Sequence, residues 1–124
     1  MGSGSRVERI EETLRAMRAV SPDILGSAMV STDGFVIASL LPPEVDEELV
    51  SGLCATLLGI GDRIATELMG GGMEQTYVRG RQGYVILNAV GQDALLIVLT
   101  TPEAKLGLVF FDIRRRVQEL AAIL

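Results

Sequence analysis

The sequence lacks histidine entirely and has a single cysteine among its 124 residues. The absence of histidine excludes serine–histidine and cysteine–histidine nucleophile pairs and every imidazole metal site. One cysteine cannot build a thiolate cluster. Because Cys54 stands among leucines, we expect it to be a buried apolar residue in a reducing compartment, which favours a cytoplasmic protein. The sequence therefore predicts no catalytic site, no metal and no cofactor.

Basic residues are also in deficit, since 11 Lys and Arg oppose 16 Asp and Glu for a net charge of −5. Contacts to nucleic-acid phosphates need clustered cations, so a nucleic-acid partner is not expected. The one dense basic run, residues 114–116, would point in three directions on a helix, which indicates a solvated face. No stretch reaches the ~18 to 20 apolar residues that a membrane span needs, so membrane insertion is not expected.

Two motifs resemble functional elements but lack the required context. The glycines at 59–61 and 70–72 lie within or at the C-terminal end of a predicted helix, where the helix dipole repels phosphate. A phosphate-binding loop would also need Gly-Lys-Ser or Gly-Lys-Thr at a helix start. Arg79 and Arg81, at a predicted hairpin tip, could form an arginine finger, but arginines in exposed turns are usually only solvated.

The length suits one domain with a single core. Residues 1–5 contain no apolar segment and are predicted to be a flexible N-terminus or tag remnant, so the domain covers residues 6–124. Apolar residues at helical spacing predict three helices: residues 6–19, residues 46–69 and a stretch after the helix-start signal Thr101-Pro102-Glu103. The last helix could begin later, because Gly107 weakens its first turn.

Runs of apolar or alternating residues separated by turn signals predict five strands: residues 24–31, 35–41, 73–80, 84–90 and 94–100. Asp33-Gly34 is a hairpin-turn signal between the first two strands. The short turns after residue 80 predict an antiparallel meander with 73–80 at its edge. The order α-β-β-α-β-β-β-α therefore predicts an α+β fold, a five-stranded antiparallel sheet with helices on both faces.

The long helix at 46–69 is apolar around most of its circumference. One stripe is predicted to cover the sheet: Val50, Leu53, Leu57, Ile60, Ile64 and Leu68. Another side carries the small residues Gly52, Ala55 and Gly59. Small side chains allow two helix backbones to approach closely, so this side is predicted to pack on the same helix of a second copy. The alternative is that the small residues accommodate a loop of the same chain.

The predicted edge strand is the second candidate for self-association. Open strand edges pair unless they are protected, and residues 76–78 carry no charge to prevent pairing with a twin strand. Helix against helix and edge against edge would form one continuous sheet across a homodimer. The predicted dimer interface consists of Leu49, Gly52, Ala55, Thr56, Gly59, Arg63, Thr76, Tyr77 and Val78.

Three segments resemble a prokaryotic member of the Roadblock/LC7 family: STDGFVIAS (31–39), the run from GGGMEQTYVRG to ALLIVLT (70–100) and KLGLVFFDIRRRVQELA (105–121). Their order and spacing carry the resemblance, which covers about residues 5–124. It implies a profilin-like or longin-like sheet and a homodimer joined through the second helix and third strand. It also implies binding to small Ras-like GTPases, MglA-like in bacteria, whereas other members are dynein light chains or signalling scaffolds.

Three functions follow as hypotheses. The first is a homodimer that regulates or scaffolds a small GTPase without catalytic residues of its own; any GTPase activation would work by remodelling the partner. The second is a passive scaffold or light-chain-like adaptor that does not affect hydrolysis. The third is a small-ligand sensor with a pocket under the hairpin. For a GTPase partner, the predicted contact positions are Glu48, Ser51, Ala55, Asp62 and Arg63.

Overall fold

The computed structural model describes residues 5–124 and has the predicted order of elements. The helices are α1 (Arg6–Val20), α2 (Glu47–Met69) and α3 (Leu106–Ile123). The strands are β1 (Ile24–Ser31), β2 (Val36–Leu40), β3 (Gln75–Gly80), β4 (Gly83–Val90) and β5 (Ala94–Thr100). The predicted α+β class is confirmed, and most boundaries lie within two residues of the predicted ones.

Side-chain caps fix where the first two helices begin. The Ser5 hydroxyl accepts from the Glu8 amide at 3.1 Å, and the Glu8 carboxylate accepts from the Ser5 amide at 2.7 Å, which forms a capping box. Ser5, predicted to lie in the N-terminal tail, thus caps α1; residues 1–4 lie outside the described residues. The Asp46 carboxylate accepts from the amides of Glu48 and Leu49, as the sequence predicts for an N-cap.

The five strands form one antiparallel sheet in the order β2-β1-β5-β4-β3. The β1–β2 hairpin and the β3–β4–β5 meander meet through pairing of β1 with β5, so β2 and β3 lie at the two edges of the sheet. Gly34 adopts a φ of 92° in the β1–β2 turn, the left-handed conformation that the Asp33-Gly34 signal predicts. The edge position predicted for β3 and the meander of β3, β4 and β5 are both confirmed.

The two faces of the sheet are covered unequally. Helices α1 and α3 lie side by side on one face and form the larger core with it, including the fully buried Ile10, Leu14, Ile113 and Leu120. Helix α2 alone covers the other face through a smaller core of Val30, Cys54, Leu87, Leu95 and Ile97. Because one helix is narrower than a five-stranded sheet, part of this second face stays exposed.

The start of α3 differs from the signal at Thr101-Pro102-Glu103. These residues form a turn, in which the Ala104 amide donates to the Thr101 carbonyl at 3.3 Å, and the helix begins only at Leu106. The Lys105 amide donates instead to the Asp23 carboxylate at 3.4 Å, which links the helix start to the α1–β1 connection. A tertiary contact therefore overrides the local proline signal. The later start also agrees with the weakening effect predicted for Gly107.

Among the helices of the described residues, α2 alone is long and apolar enough to cross a membrane, judged by length and composition. Only 11% of its most apolar 18-residue window is buried. In this fold the helix packs against the sheet through Cys54 and its neighbours, and the rest of its apolar surface faces outward.

Candidate partner-binding surface on helix α2 and strand β3

The sheet-facing side of α2 is made of small residues. Ser51 is 2% exposed and Cys54 is 6% exposed, and they are the only buried residues of the 23-residue helix. Val50, Leu57 and Leu58 contact the same core from either side and are half-buried. Small side chains at the centre of the contact let the helix backbone lie close to the sheet, and larger ones fill its margins.

The predicted sheet-covering stripe is therefore wrong for four of its six residues. Val50 and Leu57 pack on the sheet, but exposure is 61% for Leu53, 56% for Ile60, 53% for Ile64 and 74% for Leu68. The 3–4 spacing identified residues that lie near one another on the helix surface. It did not give the rotation of the helix about its own axis relative to the sheet. That rotation is set by tertiary contacts: the Gly34 turn lies against Ala55, and the Met73 side chain lies against Gly61.

Met73 gives Gly61 a structural role. A Cβ added at Gly61 would lie 2.5 Å from the Met73 sulfur, so only glycine lets this side chain lie against the helix as it does. The Asp62 carboxylate accepts from the Met73 amide at 2.9 Å and holds the chain that follows α2 back along the helix. This return is possible because Gly70 ends the helix in a left-handed conformation.

The small-residue side of α2 has two different environments. Ala55 contacts the β1–β2 turn, where a Cβ on Gly34 would lie 3.6 Å from that of Ala55, so the alternative of a loop from the same chain applies there. Around Gly52 and Gly59, a Cβ would meet nothing within 4 Å, so these positions remain open to a partner. Gly59 also borders a cleft of about 510 Å³ that Met73 and Gln92 line from the other side.

The exposed apolar side chains of α2 form a continuous outer stripe. We define the α2 outer stripe as Leu49, Leu53, Ile60, Ile64 and Leu68, each more than half exposed. A shallow pocket of about 310 Å³ lies between Ile60, Ile64 and Leu68, with Arg63 and Glu67 at its rim. Sequence reasoning placed only Leu49 of this stripe in the interface. Apolar residues on three sides of the helix were the available signal, because the sheet can cover only one.

The predicted partner-contact positions are not equally available. Glu48, Asp62 and Arg63 are exposed, and the Arg63 side chain forms a 3.3 Å ion pair with Glu67. Ser51 contradicts the prediction, because it is buried under the helix and its hydroxyl donates to the Glu48 carbonyl at 3.1 Å. Ala55 is half-buried beneath the hairpin turn. The residues therefore split between the outer surface and the helix–sheet contact.

The edge strand β3 exposes the residues predicted to pair with a second copy. Val78 is 49% exposed and lies opposite Val85 in the sheet, on the face that α2 covers. Tyr77 is 47% exposed on the opposite face, and its ring centroid lies 5.9 Å from that of Phe110. Thr76 is half-buried. The backbone edge of this strand pairs only with β4 within the described residues.

Two features of the titratable groups bear on the chemistry of this surface. Within residues 5–124, no three His, Cys, Asp or Glu side chains lie close enough together to hold a metal ion. Burial raises the pKa of the Cys54 thiol from 9.0 to about 11, so it remains protonated and a poor nucleophile at neutral pH. Arg79 lies in β3 with its guanidinium carbon 5.8 Å from the centre of the Tyr84 ring, whereas Arg81 is exposed in the turn.

Comparison with known proteins identifies the domain. The sequence-family model of the Roadblock/LC7 domain matches residues 10–100 of the chain. The uncharacterised protein MJ1340 of Methanocaldococcus jannaschii is 37% identical over 100 residues, which cover 81% of this chain and 87% of that protein.

Solved structures show the same fold. A structure described as MglB with a tetrameric arrangement superposes with a TM-score of 0.89 at 22% identity, covering 97% of this chain and 90% of that one. LokiProfilin2, solved in complex with rabbit actin, superposes with a TM-score of 0.69 at 16% identity over 94% of this chain and 98% of that one. The second likeness confirms the predicted profilin-like architecture. From the family match and the sequence identity together, the chain belongs to the Roadblock/LC7 domain family.

Proposed function

We propose that this protein is a homodimeric, cytoplasmic binding module that regulates or scaffolds a small Ras-like GTPase of the MglA type. In this role the protein contributes surface rather than catalytic groups. The GTPase would carry the chemistry, and any acceleration of hydrolysis would come from remodelling of its active site by the bound dimer.

The observation that carries the proposal is the α2 outer stripe. Each of its five leucine or isoleucine side chains is more than half exposed, and Val78 of the edge strand adds apolar surface on the same face. Contiguous apolar patches of this kind mark interaction sites, because burying them gains roughly 25 cal/mol per Å². A partner that covers the stripe therefore supplies the burial that the sheet does not.

A second copy of the chain suits this surface for two reasons. Under a two-fold axis, the α2 outer stripe and the open small-residue side around Gly52 and Gly59 would meet their own equivalents. The edge of β3 carries no charge at residues 76–78, so two copies could pair there and extend the sheet to ten strands. The two α2 helices would then lie side by side as one platform.

The charged rim of α2 supports the GTPase part of the proposal. Glu48, Asp62 and Arg63 are exposed beside the apolar residues, an arrangement of apolar centre and polar rim that is typical of regulated, non-obligate interfaces. Membership of the Roadblock/LC7 family favours a GTPase over an unrelated partner, since family members typically bind small Ras-like GTPases.

The decisive experiment combines oligomeric state with GTP turnover. Light scattering on the purified chain is expected to give the mass of a dimer. Titration with an MglA-type GTPase from the same genome, loaded with a non-hydrolysable GTP analogue or with GDP, is expected to show binding to the GTP-like state only. Single-turnover GTP hydrolysis should then accelerate at least tenfold. A monomer, or a GTPase that binds in neither nucleotide state, would refute the proposal.

A passive scaffold is the alternative that the same surface permits. It predicts the same dimer and the same apolar burial, but GTP hydrolysis would be unchanged and both nucleotide states would bind equally. The exposed stripe supports the two functions equally, so the hydrolysis rate separates them.

A ligand sensor has one observation in its favour. The cleft beside Gly59 measures about 510 Å³, within the usual range for small-molecule sites, and includes Thr32 next to the β1–β2 turn. A metabolite in this cleft would raise the melting temperature of the dimer. A thermal-shift screen in which no compound raises the melting temperature of the wild type would exclude this function.

A further inference from the structure

We propose that the groove between α3 and β3, on the sheet face opposite α2, binds an acidic peptide segment of a partner protein. This α3–β3 groove comprises Gln75, Tyr77, Arg79, Asn88, Phe110 and Arg114. It lies on the sheet face opposite the α2 outer stripe, shares Tyr77 with the predicted dimer interface, and does not depend on the proposed GTPase partner.

One end of the groove is a cleft with mixed polar and apolar walls. It measures about 500 Å³, a size that accommodates a few peptide residues, and lies between α3 and the paired ends of β3 and β4. The Gln75 amide nitrogen donates to the Asn88 side-chain oxygen at 2.8 Å, and the Asn88 amide nitrogen donates to the Ala89 carbonyl at 3.0 Å. These bonds orient Gln75 and leave its side-chain oxygen and one amide hydrogen for a peptide backbone.

Aromatic rings form the middle of the groove. The register of β3 places Gln75, Tyr77 and Arg79 on one face, where the Tyr77 ring lies 5.9 Å from both Tyr84 and Phe110. Tyr77 is nearly half exposed although it is supported from two sides. Rigid, half-exposed aromatic side chains are typical anchors for apolar residues of a bound peptide.

The arginines of the groove favour a negatively charged ligand. Arg114 lines the cleft and Arg79 lies over Tyr84, yet the ion pairs within residues 5–124 are Arg63–Glu67 and Arg116–Glu119. Two arginines without a carboxylate partner therefore border one groove on a protein of net charge −5. Arginine binds carboxylates through paired hydrogen bonds. Glu74 balances Arg114 within the cleft, and Arg79, farther along β3, gives the groove as a whole one excess positive charge.

A peptide fits these features better than another polyanion. Nucleic acids bind through many clustered phosphate contacts, and the negative charge of the whole chain opposes them. An acidic segment with one or two apolar residues instead matches the arginines, the aromatic floor and the cleft together.

The test uses the full-length protein and an immobilised array of random-sequence hexapeptides. We expect the bound peptides to be enriched in Asp and Glu and to contain at least one Leu, Ile or Phe. The strongest of these peptides is then labelled with fluorescein and measured by anisotropy. Its dissociation constant should rise at least tenfold in Arg114→Glu but change less than twofold in Arg15→Glu, an equal charge reversal at an exposed position of α1.

Three results would overturn the inference. These are an array with no binding or no acidic enrichment, an equal loss in Arg114→Glu and Arg15→Glu, and an oligothymidylate of the same charge that binds as tightly as the peptide.

Discussion

The two faces of the sheet use their helices differently. On one face, α1 and α3 lie together and bury Leu14, Ile113 and Leu120 completely. On the other face, α2 buries only Ser51 and Cys54 and turns its large apolar residues outward. The first face is fully covered by helices of the same chain, whereas the second is covered only in part. Apolar periodicity therefore indicates a need for burial without saying whether the same chain provides it.

The largest expected effect is the difference in stability between a substitution in the buried core and one in the α2 outer stripe. Leu14→Ala should lower the free energy of unfolding by about 3 kcal/mol, because it leaves a cavity in a fully buried site. Leu53→Ala should change it by less than about 0.5 kcal/mol, as expected of an exposed position. Urea denaturation at protein concentrations low enough for monomers measures both. Equal losses would mean that Leu53 is buried within its own subunit.

The second prediction tests whether two sides of α2, the outer stripe and the small-residue side, contact a second copy. Ile60→Glu places a charge in the outer stripe and should weaken a dimer about a hundredfold, or roughly 3 kcal/mol. Gly59→Leu fills open space on the neighbouring side and should push the helices apart, giving monomer or aggregate. Light scattering over a concentration series reports both variants. An unchanged dimer in both would place the interface elsewhere on the molecule.

The third prediction concerns the contact between α2 and the sheet. Burial raises the pKa of Cys54 to about 11, whereas the unfolded thiol titrates near 9.0. Because the unfolded state loses its proton first, stability is unaffected below pH 9 and falls between pH 9 and 11, by on the order of 2 kcal/mol. Cys54→Ala should remove this part of the pH dependence, which is seen by comparing denaturation curves of the two proteins. Parallel pH profiles would contradict burial of the thiol.

The smallest expected effect compares two glycines on the same helix. Gly59→Ala should stabilise the monomer by up to about 1 kcal/mol, because alanine favours helix and the added Cβ meets open space. Gly61→Ala should gain less or destabilise, since its Cβ would displace the Met73 side chain. Thermal denaturation under monomeric conditions measures the difference. Equal stabilisation would mean that Met73 moves away without cost.

Much of the fold could be predicted because its signals are local. Asp46 caps α2, Gly34 forms the β1–β2 turn, and apolar runs mark β4 and β5 as inner strands. Each depends on contacts between residues that are neighbours in the sequence or on simple burial. The start of α3 was harder to predict, because the Lys105 amide is bonded to Asp23, which lies 82 positions away.

The candidate site was predicted less accurately than the fold, for a physical reason. A helix that is apolar on three sides offers several nearly equivalent rotations, and the 3–4 spacing of its residues does not choose among them. The Gly34 turn against Ala55 and the Met73 side chain against Gly61 fix the rotation. As a result Leu53 and Ile60 face outward and Ser51, a predicted contact residue, lies underneath.

The sequence alone predicts the order of helices and strands, the edge position of β3, the burial of Cys54 and an excess of apolar surface on α2. Which side of α2 meets the sheet, and which is left for a partner, depends on the folded chain. Folding also brings Arg114 of α3 beside Gln75 of β3 in one groove. The reason is that periodicity and capping act within a few residues, whereas orientation depends on contacts between segments far apart in the chain.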